Sequence, residues 1–178
     1  MTPLKQVSGC GRARRLANRY WYGVEQQLVR LRQFDRGQEY AHMQLKNDWE
    51  MVIILLSRLR RCLAFVSKFP AFKGIGELEL AKFDNLVPHL KQLRDFEEHF
   101  DDYSLGRGQN KQIGWGALET YSFGVSQFSN GAGEITATSI SNAALLVWTT
   151  FETLEEEAIK LGYLTWEERH GEKVASGN

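Results

Sequence analysis

Only three prolines occur in 178 residues, which excludes long polyproline segments and leaves most of the chain free for regular structure. Cysteine is nearly as scarce. Cys10 and Cys62 have no CxxC spacing, which excludes a disulfide framework, and no Cys or His pair has the separation of a zinc site. No metal and no other cofactor is expected, and Cys62, in an apolar helical stretch, reads as a core thiol. Long hydrophobic runs are also missing: the longest, Met51 to Leu56, is far short of the roughly 18 residues of a membrane span. No charged n-region and apolar h-region follow Met1. These absences predict a cytoplasmic protein with no membrane partner. Gly106-x-Gly108 follows a helical stretch rather than a strand, so it is not a dinucleotide-binding turn.

What is present is an ordinary globular composition, 43% hydrophobic and 25% charged, of a length that supports one core. A single domain over 1–178 is expected. The net charge of zero conceals a strong asymmetry. Residues 1–75 hold 14 Lys/Arg against 5 Asp/Glu, and residues 76–178 hold 8 against 17. Either the two halves attract one another within the fold or the first presents a basic face to a polyanion. The cluster Arg12, Arg14, Arg15, Arg19, Arg30, Arg32, Arg36, Arg58, Arg60 and Arg61 is arginine rather than lysine, and the planar guanidinium fork suits phosphate.

Residues 1–11, with Gly9-Cys10-Gly11, read as a loose arm. Leu16, Tyr20, Val24, Leu28 and Leu31 then recur at helical spacing and predict a helix over 13–35, ended near Gly37. Trp49, Val52, Leu56, Leu59, Leu63 and Val66 mark a central helix within 39–69, widened by Met51, Ile54 and Leu55 and stopped by Pro70 and the stretch Phe72 to Gly76. A third helical region covers 77–103, with a break or kink at Pro88 and the stripe Leu86, Leu90, Leu93, Phe100. Residues 104–116 read as a loop. Alternation about Tyr121, Phe123 and Val125, the turn Asn130 to Gly133 and the run Glu134 to Thr138 predict a β-hairpin at about 117–138. A last helix, capped by Ser139 or Ser141, carries Val147, Phe151, Leu154, Ala158 and Leu161 and ends at Gly162. The fold expected is mainly α: a four-to-five-helix bundle with one β-hairpin inserted before the C-terminal helix.

Chemistry concentrates on the third helical region. With Leu93 at zero and about 100° per residue, Arg94 falls near 100°, Asp95 near 200° and His99 near 240°. Asp95, one turn from His99, is spaced to orient an imidazole acting as a general base. Arg94 and His99 lie about 140° apart on one helix, so a single copy aims them poorly at one phosphate. Two copies related by a two-fold axis would set Arg94 and His99 in one cleft, where arginine stabilises developing negative charge while histidine moves a proton.

An Arg, a polar residue and a following His, here Arg94-Asp95-Phe96-Glu97-Glu98-His99 with the flank EHFDDYSLGRG, on the third long helix of a small bundle, resembles the HEPN superfamily. The resemblance covers residues 14–105 and the last helix. It implies a homodimer that cleaves RNA without a metal, using the 2′-hydroxyl as nucleophile, in a toxin–antitoxin or phage-defence setting with an antitoxin protein as partner; other members only bind. By this likeness the catalytic residues are His99 as acid/base and Arg94 on the phosphate, with Asp95 orienting His99; Arg107 and Lys111, in the loop just after, are placed to hold RNA phosphates. Some HEPN toxins carry a tyrosine two residues after the His; here that position is Asp101, so that regulation is not carried over. Arg36 and His42 share the spacing but span a helix boundary at Gly37.

Other readings stay open. Arg94, Asp95 and His99 equally fit a charged helix flank of i,i+4 pairs, and Arg107 and Lys111 an ordinary solvated loop. A non-catalytic helical dimerisation or protein-interaction module is the alternative function. A small-ligand pocket between helices ranks third, because no convergent polar set is visible on the inner faces. His42, His89 and His170 read as surface residues. Of Trp21, Trp49, Trp115, Trp148 and Trp166, most read as core, and Trp115 in the basic loop is also spaced to stack on a base.

Overall fold

A computed structural model describes residues 3–99 and 121–163. Within them lie five helices, α1 (Pro3–Arg32), α2 (Ala41–Val66), α3 (Lys73–Leu86), α4 (Leu90–Glu98) and α5 (Ala137–Lys160), and three short strands, β1 (Ser122–Phe123), β2 (Gln127–Asn130) and β3 (Gly133–Thr136), between α4 and α5. The chain is mainly helical, with a small antiparallel sheet before the final helix.

The central helix follows its sequence pattern closely. Trp49, Val52, Leu56, Leu59, Leu63 and Val66 are all fully buried, and α2 forms the axis around which the rest packs. Met51, in contrast, is exposed. Helix α1 runs back along α2: Gly9 lies against Phe69, Gly23 against Leu55, and Arg30 pairs with Asp48 at 2.9 Å. Each step forward on one helix is matched by a step back on the other.

The expected loose arm is instead the first turns of α1. Pro3 begins the helix, where its missing N–H costs nothing. Cys10 is buried, as are Ala13 and Ala17 in the following turns, so Gly9 and Cys10, which read as part of a flexible arm, serve close helix packing. A Cβ at Gly9 would lie 2.5 Å from the Phe69 ring. Leu16, which spacing places on the buried stripe, is 46% exposed, and Ala13 and Ala17 beside it are buried instead.

After α2 the chain reverses over residues 67–72, with Phe69 and Phe72 buried. Lys73 to Gly76 then start α3 rather than only ending α2. Pro88 separates α3 from α4 and is no mere kink: α3 stops at Leu86 and α4 starts at Leu90. The third helical region is thus two helices, and α4 ends at Glu98 among the described residues.

The sheet has the order β1-β2-β3, with Phe128 opposite Ile135 and both buried. The hairpin turn falls at Asn130 to Gly133, as expected, but its first strand is Gln127–Asn130. Tyr121 to Phe123 belongs to an additional strand or its approach, because the chain already reverses between Phe123 and Gln127, with the Gly124 N–H donating to the Gln127 carbonyl at 2.9 Å. The Trp49 indole N–H donates to the Gly124 carbonyl at 2.7 Å and ties this reversal to α2. At Gly133, φ is 151° and an added Cβ would lie 2.5 Å from His89, so the sheet meets the start of α4 at a point where only glycine fits.

Thr136 caps α5, earlier than either serine. Its hydroxyl accepts from the Ser139 N–H at 3.1 Å while the Ser139 hydroxyl accepts from the Thr136 N–H at 3.2 Å, a capping box. Gly162, at φ 68°, follows the helix end as its position predicts. Helix α5 crosses α1 through Arg14–Glu152 at 2.6 Å, Arg14–Glu155, and the rings of Trp21 and Trp148 at 6.5 Å. One apolar cluster joins all five helices and the sheet. Trp49 belongs to it, whereas Trp148 is 40% exposed; Trp115 and Trp166 lie outside the described residues. Among the described residues, no helix is long and apolar enough to cross a membrane.

Candidate functional site

Helix α4 presents its residues in sectors. Leu90, Leu93 and Phe96 are buried, Arg94 and Asp95 are half-buried, and Glu98 and His99 are exposed. The burial follows from the stripe spacing, so Arg94 flanks the buried face as the helical geometry requires, while His99 is the residue just past the helix.

The polar partnerships differ from the expected ones. The Arg94 guanidinium donates to Asp95 Oδ1 through Nε at 3.1 Å and through a terminal nitrogen as well, and its Nε lies 3.3 Å from Glu98 Oε2. His99 is the C-cap of α4, and its backbone N–H donates to the Asp95 carbonyl at 3.1 Å. Asp95 therefore orients Arg94, and no hydrogen bond joins its carboxylate to the His99 imidazole among the described residues. Local sequence separation explains this: adjacent Arg94 and Asp95 side chains meet because the arginine is long enough to fold back, an option that angular bookkeeping at Cβ does not include. Arg107 and Lys111, the expected phosphate contacts, lie outside the described residues, as do Phe100 and Asp101.

Spacing reasoning passes over Glu97, the most perturbed residue of α4. At about 40° from Leu93 it lies within the apolar arc; an acid on a buried stripe is the signal that marks it. Its carboxylate accepts from the Tyr121 hydroxyl at 2.9 Å and from Asn130 Nδ2 at 3.0 Å. Burial raises its pKa and the nearby Glu50 adds to the rise, while Tyr121, Lys46 and Asn130 oppose it. Tyr121 is raised too, by burial first and then by the charge of Glu97. Lys46 completes the group, 4.9 Å above the Tyr121 ring and 3.3 Å from Glu50. This cluster binds the sheet to α4 and α2 through a carboxyl that holds its proton more tightly than a surface glutamate.

The arginine cluster is divided by the fold. Arg14 reaches Glu152 and Glu155, Arg60 makes a bidentate pair with Asp84 at 2.6 and 2.7 Å, and Arg30 holds the buried Asp48. The attraction between the basic and acidic halves is therefore present in the structure at Arg14 and Arg60. Arg12, Arg15, Arg19, Arg58 and Arg61, all exposed, have no carboxylate partner among the described residues. Among those residues, no cluster of three or more His, Cys, Asp and Glu side chains is arranged to hold a metal ion.

Compared with family models, with curated proteins and with solved structures, the chain matches none.

Proposed function

We propose that the protein is a HEPN-like endoribonuclease that needs no metal and works as a homodimer. The observation that carries this reading is the placement of an exposed His99 at the end of α4 with Arg94 five residues back, half-exposed and held in orientation by Asp95. In the reaction, the His99 imidazole of one copy takes the proton of a ribose 2′-hydroxyl as that oxygen attacks the adjacent phosphorus. The bond from phosphorus to the 5′-oxygen breaks, and the leaving oxygen takes its proton from the His99 imidazolium, which returns to its neutral form. Arg94 of the other copy stabilises the charge on the phosphoryl oxygens. The products are a 2′,3′-cyclic phosphate and a 5′-hydroxyl end. For this, Arg94 must exchange Glu98 for the phosphate, while Asp95 continues to aim it.

The test is cleavage of RNA in EDTA with identification of the cyclic phosphate. His99→Ala and Arg94→Ala should each lower cleavage by at least about 100-fold, the usual contribution of a proton-transfer or charge-stabilising group, with Tm unchanged. Mixing the two inactive variants should restore cleavage, because one of the two sites in the heterodimer keeps both residues. Activity of His99→Ala equal to wild type sinks the reading. No recovery on mixing removes the composite site.

A second reading, a non-catalytic helical module, is favoured by the engagement of Arg94 with two carboxylates, which offsets the charge a phosphate would seek. It predicts no cleavage of any RNA, together with a stable complex with a protein partner.

A further inference from the structure

A cavity of about 590 Å³ opens between α1 and α2, on a surface that the α4 reading does not use. Three arginines, Arg12, Arg58 and Arg61, are among its lining residues. None has a carboxylate partner among the described residues, in contrast to Arg14 and Arg60, one or two residues away, which are paired. Like charges gathered around a concavity with no counter-ion of the protein's own raise the local positive potential and favour an anion.

The rest of the lining has the opposite character. It includes Leu16, Tyr20 and Phe65, and Leu16 and Phe65 are left 46% and 42% exposed. Both would gain from cover by an apolar body. Arg58 lies over the Tyr20 ring at 5.6 Å from its centroid, so the cation is held against the apolar part of the lining. Cys62, also lining the cavity, adds no negative charge at neutral pH, since burial raises its thiol to about 11. The size falls in the range of about 300–1,000 Å³ typical of small-molecule sites.

We propose that the cleft between α1 and α2 is a binding site for a small amphipathic anion, a carboxylate or phosphate monoester held by Arg12, Arg58 and Arg61 with its apolar body on Leu16, Tyr20 and Phe65. The polar set that sequence inspection does not find on the inner faces is assembled here from two antiparallel helices, each of which supplies a row at i, i+4, i+8 or i, i+3, i+7.

Three soluble probes separate the contributions: octyl phosphate, octanol and inorganic phosphate, each titrated into the full chain by calorimetry. Octyl phosphate should bind once per chain. Octanol and inorganic phosphate should each bind at least about tenfold more weakly. In the double variant Arg58→Ala/Arg61→Ala, affinity for octyl phosphate should fall at least about tenfold, with octanol binding and Tm unchanged. Phe65→Ser should weaken octyl phosphate and leave inorganic phosphate unaffected. Equal binding of octanol and octyl phosphate, or wild-type affinity in the arginine variant, overturns the proposal. So does a result in which only an RNA oligonucleotide or an anionic phospholipid vesicle engages these arginines. Ribonuclease activity is measured separately, so loss of one result leaves the other standing.

Discussion

At the scale of single residues, Glu97 shows how a fold can hold a carboxyl group against its solvation. It accepts two hydrogen bonds, from Tyr121 and Asn130, yet burial and Glu50 still raise its pKa above the ordinary 4.5. The native state therefore binds this proton more tightly than the unfolded chain. Its contribution to stability is complete below 4.5 and is lost as pH rises through the raised value. Glu97→Gln keeps an oxygen acceptor for both partners and removes the titration. We expect the variant to be at least as stable as wild type at pH 7, and the wild type to gain relative to it as pH falls toward 4.5. Urea unfolding between pH 4 and 8 measures this, and parallel curves for the two proteins contradict it. Glu97 was open to discovery in the sequence as an acid on the apolar arc. The Arg94–Asp95 contact was not, because it depends on a side chain folding back along its own helix.

Among the elements, α5 has the clearest chemical start. Thr136 and Ser139 cap one another's backbone N–H groups, and Thr136 is also the last residue of β3, so one hydroxyl ends the sheet and begins the helix. Thr136→Ala should cost about 0.5–2 kcal/mol, read as a lower urea midpoint with an unchanged slope; a loss within error would show the cap to be redundant. What sequence reveals differs by element for physical reasons. The buried stripe of helix α2 is legible because Trp49, Val52, Leu56, Leu59, Leu63 and Val66 are all enclosed, while Met51 at its edge is not. The start of α1 is hidden because Gly9 and Cys10 pack closely against a neighbour, and small residues resemble those of a flexible arm. The sheet is half legible: the turn at Asn130 is marked by composition, but strands of two and four residues are too short for alternation to fix their bounds. The α1–α2 cleft is invisible in one dimension, since its arginines converge only when two helices are set antiparallel.

Over the whole molecule, the opposed charges of the two halves are drawn together at a few surface points rather than across a broad face. Arg60 and Asp84 form the most regular of these, with two bonds of 2.6 and 2.7 Å between α2 and α3. Arg60→Asp and Asp84→Arg should each lower stability by about 1 kcal/mol, within the range for partly exposed pairs. The charge-swapped double variant should recover most of that loss. Thermal unfolding of the four proteins checks it, and additive losses would show that the pair is not coupled.

Trp49 joins the helical axis to the sheet through its bond to Gly124 and through a ring contact with Phe128 at 6.0 Å, and it is wholly shielded from water, unlike Trp21 and Trp148. The protein thereby contains an optical gauge of its own construction. Emission from a dry indole lies to the blue of emission from wetted ones, and a small quencher in solution silences the wetted ones first. In a variant carrying Trp115→Phe and Trp166→Phe, detachment of the sheet would shift the blue component alone, while separation of α1 from α5 would alter the Trp21 and Trp148 component, so two structural events can be followed in one spectrum without a label.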